Sequence, residues 1–249
     1  MCPRSWALEP ARRRCEALFG DSLSITYVMG GLAREFERPL EQLRAWLDAA
    51  DASSMPVDPR LWLDTPPAGS YPACLAVLAA GEQGPAAAAA YLRRTREAIA
   101  FEGRRLDHSD TLRALAADVS GLDAARFANS LASHAVLESF GEQLEQARAG
   151  GPTELPRVRF GDGPQLEGDG LLEPDAWSRA ALAAGAQRTS QPPPDIEQAL
   201  HRHGRLATPE VAAVCDLPGP RAAAELWRLA GEWRVRGERH LSGDTWSAA

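Results

Sequence analysis

Cys2 stands immediately before a helix-forming segment whose first residue is Pro3. Proline suits a first helical turn, because the N–H it lacks would have no partner there. Leu8, Ala11, Cys15, Leu18 and Phe19 then recur at helical spacing, which predicts one helix over Pro3 to Phe19, stopped by Gly20 and Asp21. A sulfur at a helix start faces the positive end of the helix dipole and unpaired backbone donors, and both favour the nucleophilic thiolate form. The chemistry open to such a group is attack on a disulfide or activation of a small thiol. Leu23 to Met29 (LSITYVM), β-branched and aromatic, reads as a strand and ends at the pair Gly30 and Gly31. The chain thus opens as helix, then strand.

The other thiols carry less. Cys15 shares a helical face with Leu8 and Leu18, Cys74 lies within YPACLAVLAA, and Cys215 within VAAVCDL, so all three read as small core hydrophobes. Without CxxC pairs, neither a disulfide framework nor a zinc site is indicated. The five histidines show no metal-ligand spacing, and His201 and His203 point apart on a helix. All 27 basic side chains are arginine. Lacking lysine, the chain cannot run Schiff-base or pyridoxal chemistry, a Walker P-loop or a kinase lysine. GDGPQLEGDG at 161 to 170 reads as turns rather than a phosphate loop.

A 249-residue chain with 45% hydrophobic and 24% charged residues is an ordinary globular composition, sized for one main domain and an appendage. The net charge of -7 argues against a general nucleic-acid or anionic-membrane binder. No apolar run reaches the roughly 20 residues of a membrane span, and MCPRSWALEP lacks the apolar core of a secretory signal, so the expected location is cytoplasmic. Between Pro39 and Ala149 the pattern is almost wholly helical, with candidate pieces at Pro39–Ala50, Tyr71–Ala80, Pro85–Phe101, Asp110–Val119, Asp123–Leu131 and Ser133–Arg148. After Gly150 and Gly151, RVRF at 157 to 160, a GDG turn and the stretch from Gln165 predict a hairpin, followed by a helix from Pro174 to Ala184. TSQPPP at 189 to 194 is a stiff linker. The tail predicts helices at Ile196–His203, Pro209–Cys215 and Pro220–Trp233 and a hairpin about Gly237, winged-helix-like in outline. Its arginines exceed its acids by little over residues 219 to 240, too thin a surplus for a phosphate-tracking face.

The order of CPRSW (2 to 6), YVMGG (27 to 31), the long helical block and LPRVRF (155 to 160) resembles the DsbA-like branch of the thioredoxin superfamily, and within it the cytoplasmic, adaptor-type subgroup. The resemblance spans about residues 2 to 186. It implies an α/β thioredoxin-like fold over 1–37 and 150–187 with an all-helical insertion over 38–149, and the pattern of the tail adds a small C-terminal helical module over 195–249. Carried over by position, Cys2 is the nucleophile, Pro3 and Arg4 the intervening pair, Ser5 the residue at the resolving position, and Pro156 the proline beside the site, with Pro152 a rival. Two departures stand out. CxxS leaves Cys2 able to attack a disulfide but without a second thiol in the motif to release its partner. The strand that should lead into the cysteine is also missing, since only Met1 precedes Cys2; the expectation is that the true coding region begins upstream.

Two functions follow from the resemblance. In the first, Cys2 performs monothiol disulfide or glutathione-dependent chemistry, with Ser5 bonding the sulfur and Pro156 shaping the site; kappa-type glutathione transferases and related isomerases are similar. Glutathione is then a co-substrate, no metal or resident cofactor is expected, and the partners are a protein or a small thiol or disulfide. In the second, the fold is a docking surface of a non-catalytic adaptor and the thiol is incidental.

Overall fold

The computed structural model describes residues 1–149, 155–173 and 175–249. The chain divides into two compact units: Met1–Cys2, Ile25–Ala45 and Asp58–Leu155 form the first, and Pro3–Ser24, Trp46–Val57 and Pro156–Ala249 the second. The sequence boundaries assign the opening helix and the tail module to different parts, whereas both fall in the second unit. Gly150, Gly151 and Pro152 lie outside the described residues, as does Pro174.

The first unit is helical. The helices α5 (Tyr71–Gly81) and α6 (Pro85–Ala100) pack against one another, and α7 (Ser109–Ala117), α8 (Ala124–Leu131) and α9 (His134–Arg148) pack around α5. Turn chemistry sets their starts: the Asp123 carboxylate accepts from the N–H groups of Ala125 and Arg126, and the Ser133 hydroxyl accepts from Val136. Helix α5 is apolar on all sides, with Ala73, Ala76, Val77, Ala79 and Ala80 buried, which suits the central member of a bundle. The small alanines let neighbours approach closely, while Tyr91 tilts onto Phe127 and Tyr71 meets Phe140 edge to face, at centroid distances of 4.9 and 5.0 Å. A short α4 (Leu61–Asp64) buries Trp62 edge-on to Phe36. Helix α3 (Pro39–Ser53) passes from the first unit into the second.

In the second unit the expected helix from Pro3 to Phe19 is two, α1 (Pro3–Ala7) and α2 (Glu9–Phe19). The cause is Pro10, which has no N–H to donate to the carbonyl of Trp6, so the ladder is interrupted at Leu8. A two-stranded antiparallel hairpin, β1 (Arg157–Arg159) and β2 (Gln165–Glu167), turns at Gly161, whose φ of +56° takes the left-handed region. It covers one core with Leu8, Cys15, Phe19, Phe160, Trp177 and helix α10 (Ala176–Ala183).

The tail runs α11 (Ile196–His203), β3 (Leu206–Ala207), α12 (Thr208–Val214), α13 (Gly219–Gly231), β4 (Val235–Arg239) and β5 (Asp244–Ala248). The three strands form an antiparallel sheet ordered β3-β5-β4, a winged-helix arrangement. Asp195 and Gln198 make a reciprocal capping box on α11. The hairpin does not turn at Gly237, which lies within β4 opposite Trp246; the turn is His240–Gly243, closed by the His240 N–H to the Gly243 carbonyl at 2.8 Å. Gly237 is there because a Cβ at its position would lie 2.7 Å from the Trp246 ring. Helix α2 packs along α12, where Arg13 reaches His203 at 3.1 Å and the buried Glu210 at 3.7 Å.

Leu23 to Met29 forms no strand. Its side chains do alternate between covered and exposed, but an extended segment becomes a strand only with a neighbour to complete its ladder, and it has none among the described residues.

Candidate functional site

The segment 29–36 is pinned to the start of α5 and to α9. The Ser70 hydroxyl accepts from the Ala33 N–H at 2.9 Å and donates to the Ala33 carbonyl at 2.8 Å, and the Phe36 N–H donates to the Ala68 carbonyl at 2.7 Å. On its other side the Met29 N–H donates to Gln143 Oε1 at 2.7 Å. Between these anchors lies the Gly30–Gly31 turn. Gly31 has φ +61°, and a Cβ there would meet Leu144 Cδ2 at 2.6 Å and the Tyr71 ring at 3.0 Å, so helix side chains close directly onto the backbone.

Cys2 enters this setting from the chain's first residues. Its Sγ lies 3.8 Å from the carbonyl oxygen of Leu155, within reach of a weak thiol donation. The Leu155 side chain in turn rests against Gly30, whose added Cβ would meet its methyls at 3.0 and 3.1 Å. Cys74, the fourth residue of α5, meets the same turn: its sulfur accepts from the Gly31 N–H. Burial pushes the Cys74 thiol up, and the Met1 amino group and the Gly31 donor partly offset that rise. The Met1 amino group is itself desolvated and held below its usual range, with Cys74 and Cys2 opposing the shift and the Arg96 guanidinium adding to it. Arg96 also stacks over the Tyr27 ring at 5.8 Å from its centroid. The cluster thus offers a partly exposed sulfur, a second sulfur and a cation around one backbone turn.

Of the residues singled out in the sequence, Cys2 is half-buried at the head of this cluster. Ser5 lies in the middle of α1, half-buried, and Pro156 follows Leu155 directly and leads into β1. Helix α1 is only five residues long, so the dipole expected at Cys2 is that of little more than one turn. Cys15 and Cys215 are sealed in apolar cores, as expected, and burial pushes each thiol up to about 11. Cys74 differs from the sequence reading: it is half-buried and stands at the turn. The Leu155 carbonyl, Arg96 and Ser70 were not legible as site residues, since each acts through a long-range contact. Among the described residues no group of His, Cys, Asp and Glu could hold a metal ion.

A family model described as Thioredoxin matches residues 1–172. The chain belongs to this thioredoxin family. Among curated relatives of this thioredoxin-family chain, the ClpXP adapter protein SpxH of Halalkalibacterium halodurans is 26% identical over 244 residues, 92% of this chain and 79% of that protein. The SpxH of Shouchella clausii is 26% identical over 262 residues, 99% of this chain and 85% of that one. Among solved structures, the cytosolic disulfide reductase DsbM from Pseudomonas aeruginosa, determined with GSH, superposes with a TM-score of 0.59 at 23% identity, covering 72% of this chain and 92% of its own. The fold is therefore thioredoxin-like α/β with a helical insertion, as the resemblance implies. Among the described residues no helix is long and apolar enough to cross a membrane.

Proposed function

We propose that the chain is a cytoplasmic DsbA-like thiol protein whose Cys2 forms a mixed disulfide with a protein or with glutathione. The observation that carries this reading is the placement of the Cys2 sulfur, partly exposed and 3.8 Å from the Leu155 carbonyl beside the Gly30–Gly31 turn, in a chain of the thioredoxin family. The step is a simple exchange. The Cys2 thiolate attacks one sulfur of a disulfide, the new S–S bond forms at Cys2, and the other sulfur leaves as a thiolate that takes up a proton. Arg96, close enough to act on the Met1 amino group, supplies a cation for a carboxylate of the incoming glutathione or peptide. The resemblance to a structure determined with GSH supports glutathione as the co-substrate.

A second reading has its own support. The family model ends at residue 172, whereas the SpxH relatives match 92% and 99% of the chain and so take in the winged-helix module as well. That shared tail favours a protein-binding adapter for a ClpXP-type protease. One experiment separates the two. The reduced chain is incubated with oxidised glutathione and its peptides are mapped by mass spectrometry. A single adduct on Cys2, absent in Cys2→Ser, supports the thiol reading, and loss of partner capture in Cys2→Ser would tie capture to that thiol. No adduct on Cys2, with capture of a protease or client protein unchanged in Cys2→Ser, would replace it with the adapter reading.

A further inference from the structure

The CPRS motif leaves a chemical gap, because a mixed disulfide at Cys2 has no thiol three residues on to release it. The structure supplies a sulfur elsewhere in the same compact unit. Cys2 and Cys74 both border one turn: the first through Leu155, whose side chain packs on Gly30, and the second through the N–H of Gly31, the next residue, where a Cβ would lie 3.0 Å from the ring of Tyr71 at the start of the helix that carries Cys74. Both sulfurs also lie close enough to the Met1 nitrogen to act on it electrostatically. Cys74 is half-buried as a residue, unlike Cys15 and Cys215, which are 1% and 7% exposed, although burial pushes its thiol up as it does theirs. It also sits on a fixed platform. Ser70 at the head of α5 is bonded to Ala33, and Tyr71 meets Phe140 edge to face, so the segment after the turn is tied to the helix start.

We infer that Cys74 is the resolving thiol for Cys2, so that a cysteine of the helical insertion replaces the second cysteine of the usual motif. The inference rests on the proposed attack by Cys2. In the first step Cys2 forms a mixed disulfide with one half of the substrate disulfide and the other half leaves as a thiol. In the second, the Cys74 thiolate attacks the Cys2 sulfur, the bond to the substrate breaks, and the substrate leaves as a thiolate that is protonated. The sum is one substrate disulfide reduced to two thiols and one Cys2–Cys74 disulfide formed from two thiols, and two molecules of a monothiol of the glutathione class reduce that disulfide again, leaving as their own disulfide. The N–H of Gly31 aimed at the Cys74 sulfur stabilises the negative charge that the attack requires, in a place where burial alone would suppress it. A disulfide demands Cβ atoms within about 4.5 Å, so forming the bond also tests the geometry directly.

The test uses the full chain and oxidised glutathione as the probe. Aliquots are quenched over time and mapped without reduction. The expected result is a transient glutathione adduct on Cys2 that gives way to a peptide pair joined through Cys2 and Cys74, while Cys74→Ser and Cys74→Ala hold the adduct at least about tenfold longer. Two variants are used so that one folding failure does not decide the matter, and the wild-type map stands without either. A stable adduct on Cys2 in the wild type, with no Cys2–Cys74 pair, overturns the inference and leaves the proposed function intact. No adduct on Cys2 and no linked pair overturns both. A Cys2–Cys74 pair in the wild type, together with adduct lifetimes in both variants no longer than in the wild type, overturns the resolving role.

Discussion

The Leu155 carbonyl that faces the Cys2 sulfur at 3.8 Å belongs to a residue whose side chain lies on Gly30, so the reactive position and the glycine turn share one contact. The two glycines of that turn are not equivalent. At Gly30 an added methyl crowds only the methyl end of the Leu155 side chain, which can rotate away, with Ala147 Cβ at an ordinary 3.6 Å. At Gly31 it meets Leu144 at 2.6 Å and must also be accommodated at φ +61°. Gly31→Ala is therefore expected to destabilise the fold by about 2 kcal/mol, and Gly30→Ala by less than about 1 kcal/mol. Thermal unfolding of the two variants checks the order. Equal losses would show that the turn does not have the backbone conformation described.

The sealed thiols give the chain an alkaline limit. Burial, with the added charge of Glu16 at Cys15 and of Asp195 at Cys215, raises each from an ordinary value of 9.0 to about 11. A group that binds its proton more tightly when folded contributes stability that is complete below its unfolded value and is lost as pH rises through the folded value. Stability should therefore fall between about pH 9 and pH 11, by roughly 2 kcal/mol for each thiol. Denaturant unfolding at pH 7 and pH 10.5 measures it. Cys15→Ala and Cys215→Ala should each cost on the order of 1 kcal/mol at neutral pH, as small truncations in a core do, and each should flatten the alkaline decline. A decline of undiminished slope in both variants would assign it to other groups.

These outcomes bear on how much of the molecule is legible in its sequence. The helices of the insertion were, because Pro39, Pro85, Asp123 and Ser133 announce their starts by local chemistry that needs no knowledge of the fold. Pro10 was equally local, yet the apolar spacing across it read as one unbroken helix. The stretch Leu23 to Met29 shows the opposite limit: its alternation is present, but pairing is a property of the neighbour, which no propensity records. Gly237 looked like a turn residue and is instead the gap that admits the Trp246 ring, again a fact about its partner. Cys2 was legible through Pro3 beside it. Cys74 was not, since YPACLAVLAA is what a core helix looks like, and only the packing of the Gly30–Gly31 turn gives that sulfur a role.

The position three residues after Cys2 offers a final discrimination. A cysteine at Ser5 would restore CxxC spacing, in which the second thiol attacks a mixed disulfide at the first and expels the substrate. Ser5 is half-buried on α1, so the substitution of oxygen by sulfur is a small change of volume. In a Cys74→Ala background, Ser5→Cys is expected to recover insulin reduction with glutathione as the electron source, whereas Cys74→Ala alone turns over slowly and Cys2→Ser in either background is inactive. In the wild-type background the same substitution should add little, because Cys74 already performs the release. The assay is insulin turbidity under a fixed glutathione concentration, with disulfide mapping to identify the bond formed. If Ser5→Cys forms no bond with Cys2 under oxidising conditions while the protein remains folded, then α1 does not present the two positions as a thioredoxin-type motif does, and any release of substrate from Cys2 depends on Cys74 alone.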